Sequence, residues 1–457
     1  MNERTQKLAE LDKKYLWHPF TQMADWLRSE PVIIDSAEGF YLIDTEGNRY
    51  IDGVSSLWCN VHGHRVKKID EAIKAQIDKV SHSTLLGLGQ RRSIELAEKL
   101  IRIAPAGLEK VFYSDCGATA VEIGLKMAYQ YFQNRGEKKR TKFIALQNSY
   151  HGDTIGSVSV GGIEKYHSIF KPLLFDTFFI PVPHPYRFDG RKEQCALYSL
   201  DKIEDVLTER SEEIVAVVVE PLVQGAGGII VQPQGFLSDV RRLTEKYGVL
   251  LIADEVATGF GKTGKMFACE VEQVGPDIMC LGKGISGGYL PLAATLTTQE
   301  IFDAFLGPID QHKTFYHGHT YTGNALSCAA ALASLELFEQ NKIIESLPGK
   351  IELLKRYLAT LASLPFVGDA RQCGLMGGIE IVKDKASKES FPFDWTIGSR
   401  LCSSMRPKGV MLRPLGDCVV IMPPIAIDLE LLEKLLEIVY RAAKDKLPGI
   451  IESCDAD

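Results

Sequence analysis

Short apolar runs that do not alternate with polar residues recur through the middle of this chain. KVFYS (110–114), KFIAL (142–146), EIVAVVVEPL (213–222), GVLLIADEV (248–256) and DIMCLGKG (277–284) are of this kind. A strand with one wet face alternates; a strand covered on both faces does not. TAVEIGLKMAYQYFQ (119–133) and FLSDVRRLTEKY (236–247) lie between such runs with apolar residues at helical spacing. The combination predicts an α/β fold, a mainly parallel sheet covered by helices on both sides. The last third differs. SLPGKIELLKRYLATLASL and DLELLEKLLEIVYRAAKDKL read as helices around the runs GLMGGIEIV and CVVIMPP, a smaller α+β domain. At 457 residues the chain is too long for one simple core. YLIDTEGNRYIDG (41–53) has a turn signal between two short strands and is expected to dock, as a hairpin, on the smaller domain. The expected division is an N-terminal segment over 1–75, a large domain over 76–335 and a small domain over 336–457.

Charge and cysteine usage narrow the function. The formal charge of −7 is spread along the chain, which argues against nucleic acid as the main partner. No apolar stretch approaches the ~20 residues of a spanning helix, and MNERTQKLAELDKKYL lacks the apolar core of a secretory signal. Ten cysteines lie far apart, with no C-x-x-C, which suits free thiols in a reducing cytosol.

Two chemistries compete in VLLIADEVATGFGKTGKMF (249–267). Gly261-Lys262-Thr263 resembles the end of a phosphate-binding loop. Five residues before Gly261, however, stands Val256, where such a loop needs a glycine for its sharp turn. The stretch is therefore read as a flexible Gly-rich turn, with no role for Lys262. Strand alternation sends Asp254 and Glu255 to opposite faces at a carboxyl end, where ligands of such sheets collect. In DIMCLGKGISGGYLP (277–291) another apolar run ends in Lys283, hemmed by Gly282, Gly284, Gly287 and Gly288. A partly desolvated lysine can bond covalently to a carbonyl carbon. Pyridoxal phosphate needs such a lysine, and an acid that keeps its ring nitrogen protonated. Asp115-Cys116-Gly117-Ala118-Thr119, just before a helix, could hold its phosphate. Tyr150 or His151 in NSYHGDT could stack on its ring.

ADEVATGFGKTGKMFACE, CLGKGISGGYLP, NSYHGDT and EPLVQGAGG together resemble the class III, fold-type I pyridoxal-phosphate aminotransferases. The likeness runs from about residue 15 to 440. YLWHPFTQM (15–23) and SSLWCNVHGH (55–64) are similar to members acting in biotin biosynthesis. That likeness implies 8-amino-7-oxononanoate as amino acceptor, S-adenosylmethionine or lysine as donor, and a cytoplasmic homodimer with shared active sites.

The resemblance also implies roles. Lys283 would bind the cofactor and move the proton, and Asp254 would pair with the ring nitrogen. Gly117 and Ala118 would contact the phosphate, completed by His319 and Thr320 from the other subunit. Tyr150 would cover the ring and Glu220 would settle the surrounding network. Phe20, Leu57 and Trp58 would wall a pocket for an aliphatic chain, and Gly318 would touch substrate. Arg413, placed between apolar segments, would be a partly buried clamp on a carboxylate.

Departures from the family surround the donor. Ala118 replaces a frequent serine, Phe20 a tyrosine and Leu57 a tryptophan, while Val420 stands near where a tyrosine is usual. The pairs His62/His64 and His317/His319 lack the further ligands of a zinc site, so no metal is expected. The first pair is expected to shape the pocket mouth, the second the phosphate loop. Rival readings are another class III enzyme, such as an ω-amino-acid aminotransferase or aminomutase, a nucleotide-hydrolysing protein, and a noncatalytic binding protein.

Overall fold

A computed structural model describes residues 2–455. Its centre is a seven-stranded sheet. In chain order the strands are β1 (Leu108–Ser114), β2 (Lys142–Leu146), β3 (Thr177–Ile180), β4 (Ile214–Val219), β5 (Leu250–Asp254), β6 (Ile278–Leu281) and β7 (Ala293–Thr298). They lie side by side as β1-β7-β6-β5-β4-β2-β3, and β7 alone runs antiparallel to its neighbours.

The unalternating runs have a direct cause, because successive side chains feed two different cores. From β4, Val215, Ala216 and Val218 pack with helix Gly117–Asn134 on one face. Ile214, Val217 and Val219 pack with helices Cys195–Arg210 and Phe236–Tyr247 on the other. Both faces are dry, so every position is apolar. β7 carries AATLTT, small and hydroxyl-bearing residues that give no apolar run, and sequence reading passed over it.

A second, antiparallel sheet orders Val367–Cys373, Met376–Ile381, Cys418–Ile421 and Arg413–Leu415, with Arg413–Leu415 at its edge. Helices Leu347–Leu361 and Leu429–Arg441 pack beside it. The hairpin Tyr41–Asp44/Arg49–Asp52 forms as expected, and Arg49–Asp52 pairs in parallel with Val410–Met411. Helix Ala325–Gln340, buried nearly all round, leads from the first sheet to the second. Among the described residues no helix is long and apolar enough to cross a membrane.

Candidate active site

Five parallel strands of the central sheet point their carboxyl ends to one edge, and the residues just beyond them meet there. β1 leads to Gly117 and Ala118, β2 to Tyr150 and His151, β4 to Glu220, β5 ends in Asp254, and β6 leads to Lys283. All seven line a cavity of about 490 Å³. Phe20, Leu57 and Trp58 from the N-terminal segment and Arg413 and Val420 from the second sheet close its other side. Ten sequence-predicted residues therefore come together: Phe20, Leu57, Trp58, Gly117, Ala118, Tyr150, Glu220, Asp254, Lys283 and Arg413.

The polar floor is tightly wired. Asp254 is buried, with Oδ2 2.7 Å from His151 Nδ1 and Oδ1 accepting the Val256 N–H at 3.0 Å. Burial opposes charge on His151, but the hydrogen bond and charge of Asp254 outweigh it and raise its pKa. Glu220 Oε1 accepts the Tyr150 N–H at 3.0 Å, and Oε2 the Gly225 N–H at 2.8 Å. Burial pushes the Glu220 carboxyl up to about 7, helped by the Asp254 charge and opposed by His151 and both amides. Burial also pulls the Lys283 amine below the ordinary lysine value, against the pull of Asp254 and Glu220. Lys283 sits in the left-handed region, φ 42°, with Nζ 5.3 Å from the Trp58 ring centre. Glu255, on the opposite face of β5, takes no part: it accepts from Thr258 Oγ1 at 2.5 Å and Cys269 N at 2.8 Å.

At the start of helix Gly117–Asn134 the Cys116 N–H donates to Thr119 Oγ1 at 3.1 Å. The Gly117 and Ala118 amides, beside the cavity, have no acceptor within the helix. A Cβ on Gly117 would stand 2.5 Å from Val256 Cγ1, so glycine lets the turn approach the wall of the cavity. The Tyr150 hydroxyl donates to Asp153 Oδ2 at 2.6 Å.

Gly318, His319 and Thr320, the last two expected to act from the other subunit, do not line the cavity of their own chain. His319 Nδ1 lies 2.7 Å from Asp115 Oδ2, the Thr320 carbonyl accepts from His82 Nε2 at 2.7 Å, and Gly318 is exposed. Arg413 is exposed rather than partly buried, because it stands on an edge strand at the rim. Among the described residues its guanidinium has no hydrogen-bond or ion-pair partner. His62 does not shape the mouth: it is buried 3.0 Å from Ser334 Oγ against Phe338. The turn after β5 is packed rather than flexible, with Lys262 1% exposed. Sequence reading missed the His151–Asp254 pair, which spans 103 residues, and Tyr166, whose ring meets Phe20 edge-on at 5.5 Å. His151, next to Tyr150 in NSYHGDT, was the available signal for the first.

The model of the family described as aminotransferase class-III matches residues 23–443. An adenosylmethionine-8-amino-7-oxononanoate aminotransferase of Nitratidesulfovibrio vulgaris is 56% identical over 96% of this chain and 82% of its own length. One from Geobacter sulfurreducens is 52% identical over 95% and 96%. The crystal structure of the enzyme so named from Methanocaldococcus jannaschii superposes with a TM-score of 0.91 at 48% identity, covering 96% and 98%. The omega transaminase of Pseudomonas jessenii in complex with PMP gives 0.91 at 32% identity, covering 98% of each chain.

Proposed function

This chain belongs to the class III aminotransferases, with the fold-type I architecture and the pyridoxal-phosphate dependence of that family, and from there we propose that it transfers an amino group to 8-amino-7-oxononanoate. The product is 7,8-diaminononanoate, an intermediate of biotin synthesis. S-Adenosylmethionine, named in the close relatives, is the proposed donor, with lysine as the alternative. The observation that carries the reading is the meeting of Lys283 and Asp254 in one cavity at the sheet's carboxyl edge.

The residues suit the cofactor. Two free amides at a helix start offer an anion site, a buried carboxylate stands ready for a ring nitrogen, and a desolvated amine shares the same space. When bound, pyridoxal phosphate supplies a carbonyl that takes up the amino group and a ring that accepts the electrons of the broken C–H bond. Lys283 Nζ would hold the cofactor and would serve as the base that moves the substrate proton, for which a lowered pKa fits it. Asp254 would pair with the ring nitrogen, and the 2.7 Å contact with His151 aims its carboxylate. Tyr150 covers the ring, and Glu220 fixes the Tyr150 and Gly225 backbones.

Phe20, Leu57 and Trp58 take the aliphatic chain of the acceptor, and Arg413, unpaired at the rim, takes its carboxylate. Donor and acceptor occupy this one cavity in turn, a ping-pong cycle. His319 and Thr320, with Gly318, serve the site of a second copy in a homodimer. Exposed apolar side chains beside them, among them Leu86, Tyr316 and Tyr321, support that contact. Ten free thiols support a cytoplasmic setting.

An assay of holoenzyme with 8-amino-7-oxononanoate, using S-adenosylmethionine and lysine side by side, tests the reading. Diamine should form with the first donor. Formation with lysine alone would reassign the donor, and amination of short aldehydes without any diamine would move the protein to an ω-amino-acid aminotransferase.

A further inference from the structure

Lys262 is 1% exposed, and among the described residues no carboxylate is bonded to it. Its Nζ donates to Ser55 Oγ at 3.0 Å and to the Pro423 carbonyl at 3.5 Å. Burial draws this amine down to about 8, against the opposing pull of Cys59 and Asp52 and with the nearby Lys283 charge adding slightly to the fall. A cation buried against two neutral acceptors is costly, so packing alone is a poor reason for its place.

What it touches is strained. Ser55, Ser56 and Trp58 all adopt left-handed backbone, φ 51°, 61° and 63°. Side chains other than glycine pay about 1 kcal/mol or more there, and the turn persists only if its surroundings over-determine it. Asp52 pins one side, accepting from Ser56 N at 2.7 Å and Ser56 Oγ at 2.9 Å. Ser55 Oγ gives its proton to the Met422 carbonyl at 2.6 Å, leaving the oxygen only to accept, and the ammonium of Lys262 is its donor. The same turn delivers Leu57 and Trp58 to the cavity wall and sets Trp58 beside Lys283. Lys262 is itself anchored, its carbonyl accepting from Leu375 N at 2.9 Å between Gly261 and Gly264, both left-handed at φ 90° and 99°.

We propose that Lys262 is a positioning residue for the substrate cavity, a buried strut from the loop after β5 that holds the left-handed turn 55–58 and so places Leu57 and Trp58. The kinetic part of this rests on the aminotransferase reading, whereas the part about the turn does not.

Hydrogen exchange of the holoenzyme over residues 54–60, with steady-state kinetics on 8-amino-7-oxononanoate, tests it in Lys262→Met and Lys262→Arg. Trp58, Cys59 and Asn60 amides bond back to Val54 and Ser55 carbonyls. In the Met variant these should exchange about tenfold faster, and KM for the acceptor should rise about tenfold with kcat within about twofold. The Arg variant, which keeps charge and donors, should stay within about twofold of the natural protein on both. Unchanged exchange over 54–60 in Lys262→Met overturns the proposal. So does faster exchange with unchanged KM, which leaves only a structural pin, and so does equal impairment in the Arg variant. If Lys262→Met does not fold, Ser55→Ala removes the acceptor instead and is read by the same criteria. Absence of turnover in the natural protein would sink the functional reading while leaving the exchange result valid.

Discussion

Two desolvated lysines lie 21 positions apart, one after β6 and one after β5, and they differ in exposure and in what they meet: Lys283 is half-buried and Lys262 is 1% exposed. Lys283 opens into the cavity with Asp254 and Glu220 acting on its charge. Lys262 is sealed, meets two neutral oxygens and has no carboxylate bonded to it. Desolvation lowers both pKa values. A depressed amine is therefore no mark of chemistry by itself. Access to a cavity that an acid shares makes the difference. A sealed cation acts through what it holds in place.

Removing each amine should separate the two regions most sharply. Lys283→Ala should cut turnover by at least about a thousandfold, since it removes both the cofactor's attachment and the proton carrier. The purified variant should also lack any visible absorbance that borohydride bleaches. Retention of that absorbance would transfer the role to another amine, with Lys262 the first to test. Next in size is the acid that distinguishes the two. Asp254→Asn should lower kcat by about a hundredfold or more while the cofactor still binds, because the neutral amide cannot hold a proton on the ring nitrogen. A kcat within about threefold of the natural protein would remove the carboxylate from the comparison.

The two regions were not equally legible. β4, β5 and β6 could be read because burial on both faces forces unbroken apolar runs, and Asp254 and Lys283 stand where such runs end. Lys262 was misread for a physical reason. Glycines at 259, 261 and 264 suggest looseness, yet Gly261 and Gly264 supply left-handed turns inside a packed junction. A Cβ on Gly261 would strike Ile425. Nothing local in a sequence announces contacts such as Lys262 to Ser55, 207 residues away, or His151 to Asp254, 103 away. Arg413 was expected to be partly buried because its neighbours are apolar, but an edge strand leaves it at the rim. β7 was missed because small residues carry no apolar signal even where they are buried.

The smallest effect belongs to the sealed lysine and concerns stability rather than rate. In the unfolded chain its amine titrates near the ordinary 10.5, and in the folded protein at about 8. Below pH 8 both states hold the proton, and the folded state bears the full cost of a buried cation. Between pH 8 and 10.5 the unfolded state binds more protons than the folded one, so Lys262's contribution to stability rises with pH. Above 10.5 it is constant. The span corresponds to roughly 3 kcal/mol as an upper bound, and Lys262→Met should abolish it. Other groups titrate in the same window, so the measurement is the difference in unfolding free energy between natural and variant holoenzyme at pH 7.5 and pH 10. That difference should move in favour of the natural protein as the pH rises. A difference that stays flat would mean that water or an anion already compensates Lys262, and the contrast with Lys283 would then rest on access to the cavity alone.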